Sequence, residues 1–151
     1  MKFMLDTNVY NKLLDNEICI NGLKGEFFTT HIPKDELNDT QKEERRKQLE
    51  AKFKEISHRE LPTESLVWGT SKWGKAKFSD GKFYKKLLNL LERAKPKDRG
   101  NIKDALIAET AVKNSFILVT NDVALQEAVK EIDPNFQVID FTKFIEVMKN
   151  A

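Results

Sequence analysis

Cysteine and histidine are nearly absent from this chain of 151 residues, which has one cysteine, Cys19, and two histidines, His31 and His58. A lone cysteine excludes an internal disulfide, and so small a stock of Cys and His ligands argues against a structural zinc site. Any metal would have to be held by oxygen. Long apolar runs are missing as well: the hydrophobic start MKFML is interrupted by Asp6, and nowhere do about 18 consecutive apolar residues occur. The expectation is a cytoplasmic protein that does not cross a membrane. Internal repeats and low-complexity tracts are also lacking, and the length suits a single domain over residues 1–151. Glycine and proline are few, 6 and 4, and Pro62, Gly69, Gly74 and Gly81 gather in LPTESLVWGTSKWGKAKFSDG. That punctuation predicts an irregular insertion over residues 58–81.

What the chain does have is an alternation of strand and helix patterns. Residues 2–5 read as a short apolar strand and residues 7–14 as a helix that Thr7 and Asn8 can cap. EFFTT at 26–30 is a second strand. From Pro33 onward, residues 34–57 read as one long charged helix that touches the core through Leu37, Leu49, Phe53 and Ile56. Further helices are expected over 81–94, capped by Ser79, and over 101–113, 122–131 and 142–149, with strands at 115–120 and 136–140. KFML and SFILVT are continuous apolar runs, the pattern of strands covered on both faces. Together these features predict an α/β fold, a three-layer α/β/α sandwich with a mainly parallel central sheet.

In such a sheet, ligands bind beyond the carboxyl ends of the strands. Asp6, Asp122 and Asp140 each follow a predicted strand. A buried carboxylate without partners is costly, so each needs a reason to be there. For Asp140 helix capping is the favoured reason. Asp104 is more informative. In NIKDALIAETAV it falls in the middle of an arc formed by Ala105, Ile107, Ala108, Ala111 and Val112, with Lys103, Glu109, Thr110 and Lys113 opposite. A helix that only needed packing would place Leu or Ile there. Glu36, in the first turn after the strand EFFTT, leaves the same edge of the sheet as a fourth acid. Carboxylates gathered at one place repel, and Mg2+ or Mn2+, which prefer oxygen ligands, would relieve them.

Charge is also unevenly spread. Residues 72–103 hold eleven Lys and Arg against Asp80, Glu92 and Asp98, a local charge of +8 that leaves −6 for the remainder. An acidic, metal-binding pocket beside a basic segment is the layout a nuclease needs: the basic surface grips the backbone and a metal-acidified water attacks a phosphodiester.

LDTNVYNKLL at the start, DEL at 35–37, KDALIAETAV at 103–112 and LVTND at 118–122 together resemble a PIN domain, in order and spacing, over most of the chain. The family comprises metal-dependent ribonucleases, including the VapC-type toxins of toxin-antitoxin pairs, with an α/β/α sandwich around a parallel sheet. The resemblance implies Asp6, Glu36, Asp104 and Asp122 as the catalytic, metal-binding carboxylates, with Thr7, Asn8 and Thr120 in support. It implies an endoribonuclease that leaves a 5′-phosphate and a 3′-hydroxyl, and an antitoxin protein as partner. Single-stranded or looped RNA is the expected substrate, because splayed bases are easier to reach than a duplex groove.

The insertion departs from the compact toxins. Its aromatic residues, Trp73 foremost, are interleaved with Lys72, Lys75, Lys77 and Lys82 and could stack on bases and hold phosphates. They could equally fill a small satellite core, with Trp68 buried and Trp73 more exposed. Apolar residues on the long helices are compatible with a homodimer. The rival of another class is a catalytically silent RNA-binding or regulatory module of the same fold. A haloacid-dehalogenase-type phosphatase would need a second Asp where Asn8 stands, and a receiver-like domain would need a late lysine that VTND does not offer.

Overall fold

The first strand, β1 (Lys2–Leu5), sends its side chains to both sides: Phe3 and Leu5 enter one apolar cluster and Met4 enters another, all at most 1% exposed. This is why KFML shows no polar alternation, since both faces of the strand are covered. The computed structural model describes residues 1–20, 22, 24–56, 58–63 and 81–151. Among them β1, β2 (Glu26–Thr29), β3 (His58–Glu60), β4 (Ile117–Val119) and β5 (Val138–Ile139) form a parallel sheet in the order β3-β2-β1-β4-β5. Phe3 is in register with Phe27 on one side and Ile117 on the other.

The helices are α1 (Thr7–Asp15), α2 (His31–Asn38), α3 (Glu43–Glu55), α4 (Lys82–Ala94), α5 (Gly100–Lys113), α6 (Val123–Ile132) and α7 (Phe141–Lys149). One cluster joins Met4, Phe28 and Leu118 to Leu87, Leu91, Leu106 and Leu125 of α4, α5 and α6. The other joins Phe3, Leu5 and Val119 to Val9 and Leu13 of α1, Leu37 and Leu49 of α2 and α3, and Phe144 of α7. The sheet therefore lies between two helical layers, as the patterning predicts.

Several elements differ from the expectation. The single helix over 34–57 is two helices, interrupted between Asn38 and Glu43 by a turn in which the Thr40 N–H donates to the Leu37 carbonyl. The break lets Leu37 and Leu49 both reach the same cluster. Residues 58–60, assigned to the insertion, form the edge strand β3, with His58 opposite Phe27. Helix α5 is buried almost all round, including Glu109 and Thr110 from its expected polar side, because α4 packs over it while the sheet lies beneath. Ser79, the expected cap of α4, falls outside the described residues, as do Trp68 and Trp73.

The chain runs β1, β2, β3 outward in one direction and then crosses to β4 and β5 on the other side. Neighbouring connections thus part between β1 and β4. A crevice opens beyond the carboxyl ends of two strands at such a switch point, and it is the favoured ligand site of open α/β sheets.

Candidate functional site

Asp6 stands at this switch point. Its backbone N–H extends the β1–β4 ladder by donating to the Val119 carbonyl at 3.0 Å. Its side chain is the N-cap of α1, with Oδ1 accepting from the Thr7 N–H at 2.8 Å. Capping accounts for one carboxylate oxygen only. Oδ2 accepts from the Thr120 hydroxyl at 2.7 Å and from Asn8 Nδ2 at 3.1 Å. Asp6 is 3% exposed, and none of these donors is charged.

Thr120 follows β4 and ties two acids together, because its Oγ1 also accepts the backbone N–H of Asp122 at 3.1 Å. Asp122 caps α6, with Oδ1 accepting from the Leu125 N–H at 3.2 Å. Glu36, from α2, is held by Thr7, whose hydroxyl donates to Glu36 Oε1 at 2.8 Å. Asp104 projects from the first turns of α5 with its side chain 18% exposed. Asp140 is a cap, as expected: its Oδ1 accepts from the Lys143 N–H at 2.8 Å.

The four acids act on one another. Burial pushes the Asp6 carboxyl up to about 6, against the Thr120 and Thr7 hydrogen bonds, and Glu36 and Asp122 add to the rise. Burial likewise pushes Asp104 up to about 7, with Asp6 and Asp122 adding and Lys95 opposing. Glu36 is raised by burial too, eased by Thr7 and Lys103 and worsened by Asp104. Carboxyl groups from four separate segments therefore share one field, and that field is short of positive charge.

Lys95 is the residue that sequence reasoning missed. Its ammonium donates to Asp122 Oδ2 at 2.5 Å and to Asp104 Oδ2 at 3.2 Å. Burial pulls this ammonium down, but its bonds to Asp122 and Asp104 outweigh the effect and raise it. In sequence Lys95 is one of several cations in KPKDRGN, and nothing in the spacing marks it out. The fold does: Lys95 is the C-cap of α4, its N–H donates to the Leu91 carbonyl at 2.7 Å, and its carbonyl accepts from Asn101 Nδ2 at 2.8 Å.

An all-oxygen donor set of carboxylates with neighbouring Thr and Asn groups suits a hard cation such as Mg2+ or Mn2+ and not zinc held by soft ligands. Among the described residues, no group of three or more His, Cys, Asp and Glu is placed so that it could hold a metal ion as the side chains stand. The acids are instead held by hydroxyl, amide and ammonium donors, the ammonium being Lys95. The donor types suit such an ion, and the protein's own Lys95 ammonium stands among these carboxylates.

Lys72, Trp73, Lys75 and Lys77 lie outside the described residues. Lys82 begins α4 and is exposed, as are Lys85 and Lys86, while Phe83 and Tyr84 pack half-buried against the core. A separate cleft of about 420 Å³ between α2, α3 and β3 is lined by Thr30, His31, Lys34, Phe53 and His58 among others, and none of the four acids lines it. No helix among the described residues is long and apolar enough to cross a membrane.

No family model matches the chain, and no curated protein matches its sequence. Solved structures do match. VapBC2 from Rickettsia felis, solved bound to a DNA fragment from its promoter, is 18% identical with a TM-score of 0.52, covering 93% of this chain and 98% of that one. VapBC-1 from nontypeable Haemophilus influenzae is 19% identical with a TM-score of 0.54, covering 94% and 99%. PAE2754 from Pyrobaculum aerophilum is 15% identical with a TM-score of 0.57, covering 100% and 91%. At such identities the likeness establishes the fold. The chain has a PIN-like α/β fold of parallel strands flanked by helices, and the resemblance raised by its motifs holds at that level over nearly the whole length.

Proposed function

We propose that this chain is a Mg2+- or Mn2+-dependent endoribonuclease, with Asp6, Glu36, Asp104 and Asp122 as its metal-binding carboxylates. The observation that carries the reading is the gathering of four acids, the N-caps of α1 and α6 with Glu36 of α2 and Asp104 of α5, at the β1–β4 switch point, where burial first and neighbouring carboxylates second raise Asp6 to about 6 and Asp104 to about 7. No packing role requires acids in that arrangement, and a divalent cation would relieve it. When bound, such an ion supplies an acidified water and charge to offset the developing phosphorane. The chain's own residues do the rest. Thr7 and Thr120 orient Glu36 and Asp6 by donating to one oxygen of each. Asn8 braces Asp6 and, through Oδ1, accepts the Asn121 N–H at 3.4 Å, which fixes the loop carrying Asp122. Exposed cations such as Lys82, Lys97 and Arg99 hold the RNA backbone.

The shared fold with the VapBC structures supports a finer proposal, that the chain is the toxin of a toxin-antitoxin pair. An antitoxin segment would then place a basic side chain in the acidic pocket. A silent RNA-binding or regulatory module is the second reading, favoured by the absence, among the described residues, of three or more His, Cys, Asp and Glu placed to hold a metal ion and by an ammonium already seated among the acids. The test is incubation of single-stranded RNA with purified protein and Mn2+, with Asp104→Asn as control. Cleavage to 5′-phosphate ends by wild type and its loss in the variant support the nuclease. RNA retained intact but bound supports the module.

A further inference from the structure

The acidic cluster is not uniform in how its charge is met. Asp6 and Glu36 are held by neutral donors, the hydroxyls of Thr120 and Thr7 and the amide of Asn8, with Lys103 easing Glu36 at longer range. Asp104 and Asp122, by contrast, share one ammonium, since Lys95 Nζ bonds Oδ2 of both. An ion bridging those same two oxygens would have to displace Lys95 or sit against a like charge.

Lys95 is placed with care. Asn101 is fully buried, and its Nδ2 reaches both the Lys95 carbonyl and Glu92 Oε1 at 3.2 Å. The Asp98 N–H donates to the same Lys95 carbonyl at 3.3 Å, and Lys97 takes a φ of 60°, a left-handed conformation uncommon outside glycine. The turn between α4 and α5 is thus folded so that the lysine ending α4 points back at the acid opening α5. A lysine serving only solubility would not need this scaffold.

We propose that Lys95 is a resident cation of the acidic site, occupying by its ammonium the place of a second divalent ion between Asp104 Oδ2 and Asp122 Oδ2, so that the four acids together take up one such ion. This rests on the reading of the four acids as metal ligands. Lys95 is a positioning residue in this account: it acts by holding Asp104 and Asp122 together and by excluding an ion from between them.

The experiment is calorimetric titration of the full chain with Mn2+, for wild type, Lys95→Met and Lys95→Arg. Wild type takes up one Mn2+ per chain. Lys95→Met takes up a second, or binds the first about tenfold more tightly, the scale expected when one like charge is removed at contact distance. Lys95→Arg, which keeps the cation, behaves as wild type. Equal stoichiometry and affinity in wild type and Lys95→Met would overturn the proposal, as would no uptake by either. Electron paramagnetic resonance of wild type with Mn2+ gives an answer even if Lys95→Met fails to fold: an isolated-ion spectrum supports the proposal, and a spin-coupled pair overturns it. RNA cleavage by wild type is scored in parallel. A wild type that cleaves RNA with two bound ions keeps the nuclease and loses the role of Lys95. One bound ion without cleavage does the reverse.

Discussion

Thr120 holds two of the four acids with one oxygen, donating to Asp6 Oδ2 and accepting the Asp122 N–H, and it is fully buried. Thr120→Val keeps the shape and removes both bonds. The buried Asp6 oxygen is left with Asn8, and the Asp122 N–H loses its partner, so urea unfolding at neutral pH should show a loss of about 1–3 kcal/mol. Thr120→Ser should recover most of it. Asp104→Asn behaves in the opposite way. Its carboxyl is raised to about 7 by burial and by Asp6, so a neutral isostere removes a charge that the fold resists. The metal-free variant should melt no lower than wild type at pH 8, while RNA cleavage should fall by at least about 100-fold if Asp104 is the metal ligand proposed above. A large drop in melting temperature with cleavage intact would reverse the assignment of Asp104 from ligand to structural residue.

At the level of elements, helix caps and site acids occupy equivalent places, and the two roles separate only in the folded chain. Asp6, Asp122 and Asp140 all follow a strand and all cap a helix. The first two have a second oxygen engaged by Thr120 or Lys95, whereas Asp140 lies on the far edge of the sheet beyond β5. Asp140→Ala should therefore cost about 1 kcal/mol in thermal unfolding and leave Mn2+ affinity, measured by titration, unchanged. The unalternating strands, the strand-end acids and Asp104 on an apolar arc were legible from residue order, because burial on both sheet faces and the helical period leave direct traces in it. The division of the helix over 34–57 was not, since Asp39 to Lys42 contain no proline or glycine and the break serves the packing of Leu37 and Leu49. Lys95 was hidden for a similar reason. Its partners are nine and 27 positions away, and only the buried Asn101 turn brings the lysine to them.

Across the whole molecule, the acidic cluster makes the metal-free fold sensitive to pH in a direction opposite to ordinary acid denaturation. Asp6 and Asp104 bind protons up to about pH 6 and about pH 7 in the native state, against 3.8 for ordinary aspartate. Over that span the native chain holds more protons than the unfolded one, so stability falls as pH rises, fully present below pH 3.8 and lost above about 7. Each pKa unit corresponds to about 1.4 kcal/mol, which gives on the order of 3 kcal/mol for buried Asp6 and a smaller, solvent-screened share for Asp104. His58, whose pKa burial lowers to about 4, works against this between its own pKa and 6.5, because there the unfolded chain holds the extra proton. Asp15, held low by Arg45, acts in the same sense as His58, as does Glu55, held low by Cys19 and Lys52, but both do so below the ordinary carboxylate range. The balance is clearest from about pH 6.5 to 8, where the opposing His58 contribution fades and Asp104 still titrates. In EDTA the melting temperature should fall by a few degrees across that interval, and saturating Mn2+ should remove or invert the slope if the acids hold an ion as proposed, since an ion would favour their ionised form. A flat or rising melting temperature in EDTA would mean that the acids are ionised at no cost and that the cluster has no deficit of positive charge for an ion to fill.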